Sequence, residues 1–190
     1  MRQSKAEQGQ RAGRRRGRTP ERTFWTAAIG WFLLDALSKA VAVHAPAVLR
    51  ACERRLDAWL GDVVAFQVLR NPGAGLGIVY AGDQRLVATA LGMAAVVYFY
   101  VFFQHMPRCG RTSVLGLGCM MGGATGNLAD RVGSPVGVVD FIHVDAGAFA
   151  AYVFNVADVA IVTGGLLICW ALATREIVRA PARAPAVRRP

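Results

Sequence analysis

Asp140 and Asp158 are the side chains whose setting most needs a chemical explanation. Asp140 interrupts the apolar run Val138-Val139-Asp140-Phe141-Ile142, and no neighbouring base neutralises it. Asp158 lies at the start of another apolar run, three residues after Asn155. If the two carboxylates approach each other, both cannot ionise easily and one pKa rises. The charged member then takes a proton from water, and the protonated member donates to a carbonyl oxygen. That is peptide hydrolysis by general acid–base catalysis, with no covalent intermediate, metal or cofactor. No Ser/His/Asp elbow and no HExxH motif competes. Spacing alone does not single out these two from other acid pairs.

Further polar residues stand in apolar surroundings: Asp35 and Lys39, Asn71, Asn127 with Asp130-Arg131, and Asn155. Each also has a simpler structural reading. Asp35 and Lys39 are spaced i, i+4 and pair on one helix face, which is the reading we favour for them. Asn155 and Asp158 have the spacing of a helix cap and its N3 acid. Asp130-Arg131 reads as an ion pair closing a helix end. Gly118, Gly122 and Gly126 recur every four residues, a pattern of close helix packing. His44, His105 and His143 are scattered, and the four cysteines form no CxxC and no ligand spacing, so neither a metal site nor a disulfide scaffold is expected.

The elements that must carry these residues follow from composition. The chain of 190 residues is 54% hydrophobic and only 18% charged, with a net charge of +10. Residues 1–23 hold eight Arg/Lys and two Glu, and residues 174–190 hold five Arg and one Glu. The two tails therefore supply the whole excess, and the body between them is neutral. This excludes a folded domain with a basic nucleic-acid face and points to a membrane protein. Four stretches approach the length of about 20 apolar residues that a spanning helix needs: 24–43, 86–103, 112–129 and 159–174. The first contains Asp35 and Lys39. A cleaved signal peptide is its rival reading, but no small-x-small site precedes the charges.

Basic segments face the cytoplasm. The N-terminal tail, the 104–111 loop with Arg108 and Arg111, and the C-terminal tail are all basic, so both termini are expected inside. Connections 44–85 and 130–157 then face outward, the second being acidic through Asp130, Asp140 and Asp145. On this topology every residue of the polar set except Asp35 and Lys39 falls near one outer surface. Segments 63–69, 136–144 and 149–154 read as strands, so the expected fold is four transmembrane helices with a small extracytoplasmic β platform. Residues 1–20 and 180–190 read as disordered. The expected divisions are a tail over 1–23, a membrane domain over 24–174 and a tail over 175–190.

The ordered motifs resemble those of lipoprotein signal peptidase, the type II signal peptidase of bacteria. Asp35 to Lys39 resembles the family's D-x-x-x-K. Asn71-Pro72-Gly73-Ala74-Gly75-Leu76-Gly77 resembles its N-x-G-A-x-F-G loop, with Leu76 in place of Phe. The run from Gly122 to Arg131 is similar to G-G-A-x-G-N-x-x-D-R, and Val138 to Phe141 and Phe154 to Asp158 are similar to V-V-D-F and F-N-x-A-D. The resemblance implies a multi-pass aspartic protease of the bacterial inner membrane that needs no cofactor. It implies cleavage of a prolipoprotein just before its diacylglyceryl cysteine, at the outer leaflet. It makes Asp140 and Asp158 the catalytic pair. Asn71, Gly73, Asn127, Asp130, Arg131 and Asn155 become site-lining or supporting residues, with Asp130 orienting Arg131. Expected partners are lipidated prolipoproteins, membrane lipid and globomycin-type inhibitors, with no nucleic acid, and the chain is expected to be a monomer. Two rivals from other classes are a non-enzymatic four-span subunit or scaffold and an acyl or diacylglyceryl transferase. The first does not explain two aspartates on one face with three asparagines and would not shorten a lipidated precursor, and the second requires lipid turnover without peptide cleavage.

Overall fold

The computed structural model describes residues 2–60, 63–73, 84–105, 110–145 and 151–174. Among the described residues, five helices and three strands follow one another as α1 (Arg2–His44), α2 (Pro46–Leu60), β1 (Val64–Asn71), α3 (Gln84–His105), α4 (Arg111–Gly133), β2 (Val138–Asp145), β3 (Ala151–Phe154) and α5 (Val156–Ala173). Among the described residues, three helical stretches, Pro20–His44, Gln84–His105 and Val156–Ala173, are long and apolar enough to cross a membrane by length and composition. Their outward positions are apolar: Ile29, Leu33 and Leu37 on α1, Val97 and Val101 on α3, and Val162, Leu166 and Trp170 on α5 are all exposed. Such a surface suits lipid.

α4 is the central helix and packs against α1, α3 and α5. Its glycines explain the closeness. A methyl group at Gly118 would lie 2.6 Å from the Phe24 carbonyl oxygen, and one at Gly116 would lie 2.8 Å from that of Gly164. Glycine removes the Cβ and lets backbones meet, as in small-xxx-small packing. Where α1 begins this packing, Phe24 and Phe103 stack with ring centroids 4.0 Å apart. Val114 and Leu117 complete that apolar cluster. The polar residues of α1, α4 and α5 gather toward the opposite end of the bundle.

The strands form one antiparallel sheet in the order β1-β2-β3. Phe66 pairs with Ile142 and Leu69 with Asp140, so Gln67 and Val68 together oppose Phe141 in a β-bulge. Val138, Val139, Asp140 and Phe141 are buried.

Two expectations change. Residues 2–20 were expected to be disordered, whereas α1 runs back to Arg2. Ala, Arg, Gln, Lys and Glu in this stretch are good helix formers, and they are set against Gly9, Gly13, Gly17 and Pro20, which oppose a continuous helix. The first outer connection also contains α2, which the sequence reading did not anticipate. α2 packs against β1, and Glu53 Oε1 accepts the Phe66 N–H at 3.3 Å. The expected tail over 180–190, loop positions 74–77 and the middle of the 104–111 loop lie outside the described residues.

Candidate active site

Asn155 starts α5 as its N-cap, in extended conformation. Its side chain accepts the Asp158 N–H at 3.1 Å, and Asp158 Oδ2 accepts the Asn155 N–H at 3.0 Å. The helical-cap reading of this pair is therefore correct, and it leaves both residues with further work. The Asn155 Nδ2 donates to Asp140 Oδ1 at 2.6 Å and to Asn127 Oδ1 at 3.0 Å. One asparagine thus spans both aspartates, binding Asp140 by its amide and Asp158 by its own cap.

The remaining carboxylate oxygens are held in the same way. Asp140 Oδ2 accepts from Asn71 Nδ2 at 3.0 Å, and Asp158 Oδ1 accepts from Asn127 Nδ2 at 2.9 Å. Each amide is fixed by a donor on its own oxygen. Gly73 N–H donates to Asn71 Oδ1 at 3.0 Å, and the Lys39 ammonium donates to Asn127 Oδ1 at 3.1 Å. The three asparagines therefore present NH₂ groups, not carbonyls, to the aspartates.

Burial is uneven across the pair. Asp140 is buried and Asp158 is half-buried. Burial pushes the Asp140 carboxyl above its ordinary pKa, because a low-dielectric setting disfavours charge. The Asn71 amide opposes this, the Asp158 charge adds to it, and the Asn155 amide and Lys39 charge oppose it.

The supporting charges form a second layer. Lys39 Nζ lies 2.7 Å from Asp35 Oδ2, the i, i+4 contact expected on α1. The pair does more than close on itself. Asp35 Oδ1 accepts the Ala157 N–H at 2.8 Å, capping α5 from a different helix. Lys39 also meets Asp130 Oδ2 at 2.9 Å. That same oxygen accepts the Val139 N–H at 3.1 Å. The expectation that Asp130 orients Arg131 needs correcting: its ion-pair partner is Lys39, because residues 130 and 131 point about 100° apart on a helix. Arg131 instead donates to the carbonyls of Asn127 at 3.1 Å and Gly73 at 3.0 Å.

Of the residues singled out from sequence, Asp35, Lys39, Asn71, Gly73, Asn127, Asp130, Arg131, Asp140, Asn155 and Asp158 all join this one connected network. Two contributors were missed. Arg85 donates to the Arg131 carbonyl at 3.2 Å. Gly137 has φ +92°, and a Cβ there would collide with the Asn71 carbonyl. Only its place immediately before the Val138-Val139-Asp140 strand could have drawn attention to it.

Comparison with known proteins gives concordant results. A family model described as signal peptidase (SPase) II matches residues 27–174. The chain is 36% identical over 158 residues to the lipoprotein signal peptidase of Beijerinckia indica subsp. indica, covering 82% of this chain and 90% of that one. It is 34% identical over 163 residues to the lipoprotein signal peptidase of Streptomyces griseus subsp. griseus, covering 80% and 74%. A solved bacterial membrane enzyme, determined by the in meso method at 2.3 Å resolution, shares the fold with a TM-score of 0.63 at 20% identity, over 85% of this chain and 94% of that one.

Proposed function

The chain belongs to the signal peptidase II family, whose members remove signal peptides from prolipoproteins, and from that premise we propose that it cuts by an aspartic mechanism, with Asp140 and Asp158 as the catalytic pair. The observation that carries this reading is the set of asparagine amides. Each aspartate receives N–H donors on both oxygens, and Asn155 joins the two.

In this mechanism the raised pKa of Asp140 lets it keep its proton and donate to the scissile carbonyl oxygen. Asp158 stands at the N-terminus of α5 and accepts N–H donors on both carboxylate oxygens, which fix it in place as the base. It takes the proton of the attacking water. As the tetrahedral intermediate collapses, Asp158 passes the water's proton to the departing nitrogen, that of the diacylglyceryl cysteine, the C–N bond breaks, and a gem-diol hydroxyl returns its proton to Asp140 as the new carboxyl end forms. Each acyl CH₂ contributes about 0.8 kcal/mol to membrane anchoring, so the lipid supplies recognition that side-chain pockets need not.

Membrane placement belongs to the same reading. α4, the third span in chain order, joins α1, α3 and α5 and brings the number to four. Its Asn127, Asp130 and Arg131 are tolerable there because α1, α3 and α5 surround it. Four crossings put both termini on one side, their basic charge makes that side the cytoplasm of a bacterial inner-membrane protein, and the aspartates then lie at the outer leaflet. The sheet and α2 lie outside, and globomycin-type inhibitors act at the pair. The deciding experiment is cleavage of a synthetic diacylglyceryl-cysteine precursor in detergent by wild type, Asp140→Asn and Asp158→Asn. Wild-type cleavage lost in both variants supports the pair. Turnover near wild type in either variant rejects it.

A further inference from the structure

The ion pairs of Lys39 are with Asp35 and Asp130, not with either reactive carboxylate, and the side chain is only 4% exposed and surrounded by acceptors. A pairing with Asp35 alone would use one N–H of the ammonium. A lysine has three, and here each has a different acceptor: Asp35 Oδ2 at 2.7 Å, Asp130 Oδ2 at 2.9 Å and Asn127 Oδ1 at 3.1 Å. Two of these acceptors lie on α4, and each leads to a different aspartate.

The first arm runs through Asn127. With its oxygen turned to Lys39 and Asn155, its NH₂ faces Asp158 Oδ1 at 2.9 Å. A flipped amide would set a carbonyl oxygen against that carboxylate. The second arm runs through Asp130, whose Oδ2 accepts the N–H of Val139, the residue before Asp140. Asp35 adds a third constraint by capping Ala157, the residue before Asp158. We infer that Lys39 is a positioning residue for the catalytic pair: its ammonium ties Asn127, which orients Asp158, and Asp130, which holds the strand carrying Asp140, to one point on α1. This rests on the reading of Asp140 and Asp158 as the reacting groups.

The test is steady-state cleavage of a diacylglyceryl-cysteine precursor peptide in detergent by Lys39→Met, Lys39→Arg, Asn127→Ala and the Lys39/Asn127 double variants. Misplaced reacting groups cost about 100-fold, so kcat of Lys39→Met should fall on that order while KM stays within about threefold. Lys39→Arg keeps the charge, but its planar fork does not place three donors around one atom. It should therefore also lose kcat, whereas a residue needed only for its charge would be rescued. Combining either change with Asn127→Ala should lose far less than the product of the single losses, because both act on Asp158 through one amide. If Lys39→Met does not fold, the Lys39→Arg cycle answers the same question. Wild-type kcat in Lys39→Arg, or a double variant showing the full product, overturns the inference. Asp140→Asn and Asp158→Asn in the same assay separate the two levels. If they are dead and Lys39→Arg is normal, only the positioning role fails. If they cleave, the catalytic reading fails and the positioning role fails with it.

Discussion

Asp140 and Asp158 differ in what an amide would do at each place. Asp140 accepts an NH₂ group on each oxygen and is buried. Asp140→Asn sets an NH₂ against another NH₂, so it should abolish cleavage and also cost roughly 1–3 kcal/mol of stability. Asp158→Asn keeps a good N-cap partner and loses a helix-dipole contact of roughly 0.3–1 kcal/mol. It is half-buried, so water can repair the lost acceptor. Cleavage should vanish while thermal unfolding in detergent shifts little. The pH profile tests the assignment of the proton. The Asn71 donor favours ionised Asp140, so Asn71→Ala should raise its pKa further. The alkaline limb of kcat should then move to higher pH, because activity falls where Asp140 loses its proton. A limb that moves down or stays fixed would give the acid role to another group. The same sign governs stability. A folded pKa above the unfolded one contributes stability that is complete below the unfolded pKa and is lost as pH rises through the folded value.

Helix contacts set the geometry that these residues need, and glycines decide how close the helices come. A methyl at Gly126 would run into the Asp35 carboxylate. Gly126→Ala should therefore push α1 from α4, disturb the Asp35 cap on α5 and cost about 1–3 kcal/mol, with activity falling as well. Gly92 is a matched control, since its added methyl would meet Leu128 Cδ1 at 3.6 Å, an ordinary contact. Gly92→Ala should be neutral or stabilising by up to about 1 kcal/mol. Thermal unfolding of the two variants with cleavage rates measured alongside distinguishes a specific packing requirement from general intolerance. The bulge in β1 acts at the same scale. It places Leu69 and Asn71 on the side of the sheet that also carries Phe66 and Asp140, which strict alternation from Phe66 would not do.

For the molecule as a whole, charge and mechanism each give an expectation. From the basic tails and the acidic second outer connection, both termini are expected inside. Topology reporters fused after Arg55 and Arg111 should report outside and inside respectively, and the reverse would relocate the active site. A carboxylate mechanism needs no thiolate and no metal. Cys52 and Cys169 are exposed and Cys119 is buried among the helices, and none of them enters the aspartate network. A variant with all four cysteines replaced by Ala or Ser should retain substantial cleavage, and EDTA should not inhibit. A folded cysteine-free protein without activity would point to thiol chemistry.

Composition and local pattern were enough to read the apolar helices, the neighbourhood of each strand, the polar residues of the site and the glycine ladder of α4. These are properties of short stretches: periodicity, propensity and the cost of charge in lipid act within a few residues of each position. The pairings were not legible in this way. Lys39 and Asn127 are 88 residues apart, and Asp35 and the Ala157 N–H are 122 apart. From sequence, Asp35–Lys39 was a closed pair and Asp130–Arg131 an ion pair at a helix end. Tertiary packing turned the first into a hub and gave Asp130 to Lys39. The amphipathic α2 was missed because its mixed charges read as an ordinary connection, and it gains its partner only when β1 lies beneath it. The strand bulge escaped for a related reason, since alternation along one strand carries no record of where the facing strand skips a residue. Which donor faces which carboxylate oxygen is likewise a fact about three dimensions: an asparagine's two ends are equivalent in sequence and become distinct only when Gly73, Lys39 or a helix N–H takes the oxygen.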